Sequence, residues 1–200
     1  MRRTRIAITG GIGSGKSYVC SRLKDKGIDV YDCDSAAKRI IRNSKDVRKE
    51  LTKLVGDDTY YPDGSLNKQA VAEFLLASED NKQAVNNIVH PAVANDFIGS
   101  DYDWMECAIL YESGFDKLVD KVVAVTAPEE TRIGRVMKRD SLSREKALSW
   151  IRLQMPQEEV KRRADFEIVN DGILDVDRQI EEILYNIKNK NVTDNISDFR

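Results

Sequence analysis

The sequence has few of the residues that build disulfide frameworks and metal sites. Its 200 residues include 3 cysteines and a single histidine, His90. The cysteines are an odd, scattered set without a CxxC pair, so neither a disulfide framework nor a structural zinc site is expected. One histidine also excludes any site that needs two, including that of the HExxH zinc hydrolases.

Long apolar runs and low-complexity segments are missing as well. Only 4 prolines and 11 glycines are present, which excludes collagen-like and disordered repetitive chains. No apolar run approaches the roughly 18 residues of a membrane helix. After the basic start, only Ile6, Ala7 and Ile8 precede the first glycines, too few for a signal-peptide core. These features predict a cytoplasmic protein with no membrane partner.

The charges show no excess of one sign. The chain has 32 basic and 34 acidic residues, a net charge of −2, whereas a nucleic-acid-binding surface is strongly basic. We therefore expect neither a nucleic-acid partner nor an obligate protein partner. With 41% hydrophobic residues, the chain is predicted to form one domain with a small insertion.

Residues 10–17, Gly-Gly-Ile-Gly-Ser-Gly-Lys-Ser, fit the phosphate-loop pattern GxxxxGK[ST]. A short β-branched run precedes them, and a helical pattern follows from Ser17. Glycines allow backbone amides to wrap a phosphate, and the helix adds its positive N-terminal end. A glycine-rich turn with an incidental lysine is the alternative, but the flanking strand and helix favour nucleoside triphosphate binding. The predicted nucleotide ligands in the loop are Gly11, Ile12, Gly13, Ser14, Gly15, Lys16 and Ser17.

Short apolar segments alternate with helical patterns along the chain. This alternation predicts an α/β fold, with a parallel sheet and helices on both of its faces. Strands are expected at residues 6–9, 28–31, 105–111, 122–126 and 166–169. Helices are expected at residues 68–77, 81–89 (ending before Pro91), 129–138 and 174–187. The stretch from about residue 35 to 97 contains helical patterns without a clear strand, which predicts an inserted helical subdomain.

Acidic residues follow two of the predicted strands. Asp32 and Asp34 follow the second and Glu112 the third. Ligands bind at the carboxyl ends of strands in open parallel sheets, so one of these carboxylates is expected to take a proton from a hydroxyl or to hold magnesium-bound water. The alternative for Asp34 is a helix N-cap.

Arg132, Arg135 and Arg139 are spaced to share one helix face, where guanidinium groups could neutralise the charge of a transferred phosphoryl group. The alternative is a solvated face balanced by nearby acidic residues. His90, next to Pro91, is either functional or a capping or core group.

Taken together, these motifs resemble one family, the dephospho-coenzyme A kinases. The matching segments run from residue 6 to about 185. They are Thr9 to Ser17, Asp32-Cys33-Asp34, Asp63 to Leu66, His90-Pro91, Ile109 to Glu112, Arg135 to Asp140, Gln154, Ala164-Asp165 and Asn170.

The resemblance implies a three-layer α/β/α fold with a five-stranded parallel sheet, a helical substrate domain and a lid. The core is then expected at about residues 1–34, 100–130 and 164–188, the insertion at 35–99 and the lid at 131–163. Residues 189–200 are expected to form a loose polar tail. The implied reaction uses ATP and Mg²⁺ to phosphorylate the ribose 3′-hydroxyl of dephospho-CoA.

The resemblance also implies roles for individual residues. Asp34 is the expected general base, and Ser17 is the expected magnesium ligand. Lys16, Arg135 and Arg139 are expected to act in catalysis, and Arg135 and Asn170 to contact ATP. Thr9, Asp34, Lys68 and His90 are the expected substrate contacts, although Lys68 stands where the family usually has arginine.

Two other functions fit the loop. One is a nucleoside or nucleotide kinase of the same fold, which would differ only in its acceptor. The other is a nucleotide-dependent switch protein, although the guanine signature Asn-Lys-x-Asp does not follow an apolar strand here.

Overall fold

Five short parallel strands form one sheet at the centre of the protein. The computed structural model describes residues 3–197, with side chains described up to residue 189. The strand order is β2-β3-β1-β4-β5, and every neighbouring pair is parallel. The strands are β1 Ile6–Thr9, β2 Val30–Asp32, β3 Trp104–Glu106, β4 Lys121–Thr126 and β5 Phe166–Val169.

Helices connect the strands. They are α1 Lys16–Asp25, α2 Cys33–Asn43, α3 Lys45–Val55, α4 Lys68–Ala77, α5 Glu79–Ile98, α6 Glu129–Asp140, α7 Arg144–Arg152, α8 Gln157–Arg163 and α9 Val176–Ser197. Two 3₁₀ turns lie at Asp57–Thr59 and Phe115–Leu118. None of the helices in the described part of the chain has the length and apolar character needed to cross a membrane.

Each face of the sheet is covered by its own apolar cluster. Ala7 and Met105 point to one side and pack with α2 and α5. Ile6 and Ile8 point to the other side and pack with α1 and α9. Successive strand residues alternate between faces, so both clusters draw on the same strands. The expected three-layer α/β/α fold is confirmed.

Helix α5 corrects one sequence prediction, because it continues through Pro91 to Ile98 instead of ending at Val89. Proline inside a helix costs about 3 kcal/mol because it removes a backbone donor and crowds the preceding turn. Val93 and Phe97 continue the buried stripe beyond the proline. Burying such side chains contributes about 1.5–3 kcal/mol each, enough to offset that cost.

The third strand is also shorter than predicted. It ends at Glu106 instead of continuing to Tyr111, and the chain then enters turns that lead to the 3₁₀ turn at Phe115–Leu118. Helix α4 and strand β5 match their predicted bounds, and β2 begins and ends later than expected.

Helix α9 continues to Ser197, past its expected end near Ile187. The predicted loose tail at 189–200 extends to residues outside the described range and stays a prediction. Four helices, α2 to α5, lie between β2 and β3, and α6 to α8 lie between β4 and β5. Their assignment as substrate domain and lid stays a prediction as well.

Candidate active site

A cleft of about 750 Å³ opens beside the N-terminus of α1. It brings together eight of the predicted site residues. These are Ile12, Gly13, Gly15, Lys16, Ser17, Asp34, Arg135 and Arg139. Ala108, Val136, Lys138 and Gln154 complete its lining. The cleft therefore combines the phosphate loop, the acidic start of α2 and the basic face of α6.

Side chains hold several carbonyl groups of the loop. The Nζ atom of Lys16 donates to the Gly10 carbonyl oxygen at 2.8 Å. Arg135 donates to the carbonyls of Gly13 and Ser14 at 3.3 and 3.2 Å, and Asn170 donates to that of Ser14 at 3.0 Å. Because each peptide is planar, its N–H points opposite to its carbonyl, so these contacts fix the orientation of the amides that share those peptides, including that of Gly15.

Several of these amides are free to bind an anion. Among the described residues, the N–H groups of Gly13, Gly15, Lys16 and Ser17 have no backbone acceptor. Gly15 has a φ of 95°, a left-handed conformation that favours glycine. A Cβ at this position would also collide with the amide of Asn170. Convergent amides at a helix N-terminus form a phosphate-binding nest, so the loop fits a polyphosphate.

Glu106 is a site residue that the sequence analysis missed. It ends β3, and its Oε1 lies 3.7 Å from the Nζ of Lys16. Burial raises its pKa, Lys16 opposes that rise, and Asp32 and Asp34 add to it. The predicted strand-end residue, Glu112, lies six positions further along and accepts from the Met155 amide at 3.4 Å. A predicted third strand that ended at its observed end would have identified Glu106 as the strand-end carboxylate.

Asp32 and Asp34 have separate roles at the start of α2. Asp32 is the N-cap, and its side chain accepts from the amides of Asp34 and Ser35 at 2.9 and 3.1 Å. Burial tends to raise the pKa of Asp32, but the hydrogen bonds from Ser35 and Asp34 outweigh it and lower that pKa. The alternative role of Asp34 as the cap is thus wrong, and its exposed carboxylate lines the cleft.

The three arginines of α6 do not share one environment. Arg132 is buried, with 5% of its surface exposed, and its Nε donates to the Ile12 carbonyl at 3.0 Å. Arg135 lies over the loop, and Arg139 is exposed and ion-paired with Asp140 at 2.7 Å. The predicted common face therefore divides into a buried end that contacts the loop and an exposed end at the cleft.

The remaining predicted residues, including Gly11 and Ser14 of the loop, lie outside the cleft lining. Thr9 is buried at the end of β1, and Asn170 is buried behind the loop. Lys68 is exposed at the first turn of α4. His90 is half-buried, packs edge-on against Phe115 at 5.7 Å and lines a separate cavity of about 480 Å³. Burial lowers the pKa of His90.

The donors of the cleft fit magnesium only together with a polyphosphate. Among the described residues, no group of three or more acidic, cysteine or histidine side chains could hold a metal by itself. Ser17, Lys16 and Asp34 line the same cleft, and Glu106 lies 3.7 Å from the Nζ of Lys16. Mg²⁺ usually keeps several waters and binds one or two protein groups plus substrate phosphates, and this donor set suits that arrangement.

Comparison with known proteins connects this architecture to one family. The sequence model described as dephospho-CoA kinase matches residues 4–175. A dephospho-CoA kinase of Bacteroides fragilis is 42% identical over 187 residues, which cover 90% of this chain and 91% of that protein.

Two solved structures are also similar. The crystal structure of a Thermus thermophilus protein has a TM-score of 0.80 at 31% identity, covering 93% of this chain and 98% of the other. Dephospho-CoA kinase from Campylobacter jejuni has a TM-score of 0.67 at 22% identity, covering 94% and 98%, and this likeness shows the shared fold.

Proposed function

The chain belongs to the dephospho-CoA kinase family, and we propose that its cleft transfers the γ-phosphoryl group of ATP to the ribose 3′-hydroxyl of dephospho-CoA. It is accordingly a kinase that acts on dephospho-CoA and catalyses the last step of coenzyme A synthesis. One observation carries the assignment of the site. The phosphate loop and an uncommitted carboxylate, Asp34, line the same cleft.

The loop binds the donor. Its inward amides and the N-terminus of α1 hold the phosphates, and Lys16 adds a positive charge that shifts from the Gly10 carbonyl to a phosphate oxygen. Ser17 would hold Mg²⁺ together with the phosphates, and the ion would supply charge neutralisation between them.

Asp34 acts on the acceptor. Because Asp32 caps the helix, the carboxylate of Asp34 needs no helix amide as a partner and remains available in the cleft. It orients the 3′-hydroxyl and accepts its proton as the new O–P bond forms and the bond from the γ-phosphorus to the bridging oxygen breaks, releasing ADP. A carboxylate must be ionised for this role.

Arg135 and Arg139 stabilise the transferred group. Charge spreads over three phosphoryl oxygens during transfer, and guanidinium groups can meet it with two parallel hydrogen bonds. Arg135 already lies at the loop, whereas Nε and Nη2 of Arg139 must leave Asp140 before both can bind a phosphate. Its exposed ion pair is weak enough for that exchange.

The other predicted contacts remain proposals with less support. Asn170 supports the loop from behind and bonds to Arg135 at 3.4 Å, so we assign it an indirect role towards ATP. Thr9, Lys68 and His90 do not line the cleft, so any contact that they make with the substrate would lie outside it. Cytoplasmic location and action without an obligate partner also stay predictions.

The test is a product assay. The protein is incubated with ATP, Mg²⁺ and dephospho-CoA, and mass spectrometry should show the gain of one phosphoryl group on the acceptor. Coenzyme A, whose 3′-hydroxyl is already phosphorylated, should gain none. Phosphorylation of a nucleoside or nucleotide but not of dephospho-CoA would assign the cleft to another kinase activity, and preference for GTP without transfer would favour a switch protein.

A further inference from the structure

Ile12 is the third residue of the phosphate loop. Its backbone N–H and its carbonyl are both bound by side chains from outside the loop. The N–H of Ile12 donates to Oε1 of Gln154 at 2.6 Å. The carbonyl of Ile12 accepts from Nε of Arg132 at 3.0 Å. Arg132 lies on α6 and Gln154 lies between α7 and α8, so the region between β4 and β5 contacts the loop from two directions.

The space beside Gly11 is filled by the same two side chains. A Cβ at Gly11 would collide with the guanidinium of Arg132 and come within 3.3 Å of Oε1 of Gln154. A side chain at position 11 would therefore have to displace the ends of Arg132 and Gln154, which pack directly against the loop backbone. The contact is therefore part of the tightly packed interior of the site.

Peptide planarity connects these contacts to phosphate binding. The carbonyl of Ile12 and the N–H of Gly13 belong to one peptide plane and point in opposite directions. By holding the carbonyl, Arg132 directs the Gly13 amide towards the cleft. The N–H of Ile12 shares a plane with the Gly11 carbonyl, which accepts from the Ser14 amide at 3.1 Å. Gln154 thereby fixes the preceding peptide.

These peptides would otherwise turn easily. Gly11 and Gly13 flank Ile12, and Gly13 has a φ of 79°, so the segment has more backbone freedom than other residues would allow. Free rotation would direct carbonyl oxygens into the cleft, where they would repel phosphate. Two bonds from a packed region remove that alternative before the nucleotide arrives, which lowers the ordering cost of binding.

We propose that Gln154 and Arg132 are positioning residues that lock the Ile12 peptides and so keep the phosphate loop in its anion-binding conformation. The proposal rests on the assignment of the loop to the phosphates of ATP. It predicts that Gln154 matters for nucleotide affinity although it performs no chemistry on the reacting groups.

The experiment uses Gln154→Met, which keeps the length of the side chain and removes its acceptor. The matched control is Gln157→Met, because the Oε1 of Gln157 also accepts a backbone N–H, that of Ala127 at 3.1 Å, away from the loop. ADP affinity is measured by calorimetry, and exchange of the Ile12 amide hydrogen is measured by NMR.

With Gln154→Met, ADP binding should weaken about 3–10-fold, the effect of losing one net hydrogen bond, and the Ile12 amide should exchange faster. KM for ATP should rise more than kcat falls. Gln157→Met should leave ADP affinity and Ile12 exchange within about twofold of the parent, since it removes a bond of the same kind away from the loop. Unchanged or tighter ADP binding in Gln154→Met would overturn the proposal, because Gln154 would then be neutral or a competitor of phosphate.

Gln154→Glu is the second variant and keeps an acceptor oxygen. The Ile12 amide should remain protected from exchange, while ADP binding weakens because the new charge repels phosphate. Loss of protection in this variant would contradict the hydrogen bond on which the proposal depends. A parent protein that binds ADP but does not phosphorylate dephospho-CoA would refute the proposed function and leave this proposal standing.

Discussion

The donor and acceptor sides of the cleft are built in different ways. On the donor side, eight consecutive residues form the loop, and side chains from α6, Gln154 and Asn170 hold its peptides. On the acceptor side, Asp34 stands alone at the start of α2, and the predicted contacts Lys68 and His90 lie away from the cleft. The phosphate site is thus organised by contacts within the protein, whereas Asp34 alone of the predicted substrate contacts lines the cleft.

Asp34→Asn is the sharpest test of this difference and carries the largest expected effect. The substitution keeps the shape of the side chain and removes its ability to accept a proton. Turnover of dephospho-CoA should fall about 10²–10⁴-fold, the usual contribution of a general base. ADP affinity, measured by calorimetry, should stay within about twofold, because the organised donor side is untouched.

Asp32→Asn provides the matched control for that experiment, since it alters the neighbouring carboxylate, which caps α2. It should retain most of the turnover. If turnover collapsed in Asp32→Asn and stayed near normal in Asp34→Asn, Asp32 and not Asp34 would be the general base.

Lys16→Met tests the donor side and ranks second. Lys16 is only 11% exposed and bonds to the Gly10 carbonyl, so its loss removes both a loop contact and the charge that meets phosphate. Turnover should fall about 10²–10³-fold, as for removal of one electrostatic stabiliser. Unlike Asp34→Asn, this variant should also weaken ADP binding, and calorimetry checks both.

The two sides also differ in how far the sequence alone predicted them. The loop was identified because its chemistry is local: glycines, lysine and serine must be adjacent to wrap a phosphate. The sequence does not separate the roles of Asp32 and Asp34, because two carboxylates at a strand end both suit capping and catalysis. Only the first residue of α2 decides between them.

Non-local packing explains where the structure departs from the sequence-based predictions. Glu106 was missed because the apolar pattern continues past it to Tyr111, and only pairing with β1 and β2 ends the strand. Helix α5 passes Pro91 because Val93 and Phe97 reach the core, a gain that no local rule includes. The hydrogen bonds of Arg132 and Gln154 with Ile12 join residues more than a hundred positions apart in the chain.

Asp32→Ala should act on stability, with a smaller effect. Loss of a helix N-cap costs about 1 kcal/mol at pH 7. The folded state lowers the pKa of Asp32, so this contribution is present above its ordinary value of 3.8 and is lost as pH falls through the folded-state pKa. Denaturation of the parent and variant at a series of pH values should show the two curves converging in acid. A constant difference would show that the ionised cap is not the cause.

Glu106→Gln should give the smallest effect, and one of the opposite sign. Burial raises the pKa of Glu106 above its ordinary value of 4.5, so the folded protein binds its proton more readily than the unfolded chain does. Stability from this group therefore falls as pH rises above 4.5, and the ionised form is a cost at neutral pH. Glutamine removes that cost, so the stability of the variant relative to the parent should increase across this window, as measured by urea denaturation. A variant whose gain in stability is larger at low pH than at neutral pH would instead mean that the ion pair with Lys16 outweighs the burial of Glu106. Charge pairing would then organise the donor side together with its peptide contacts.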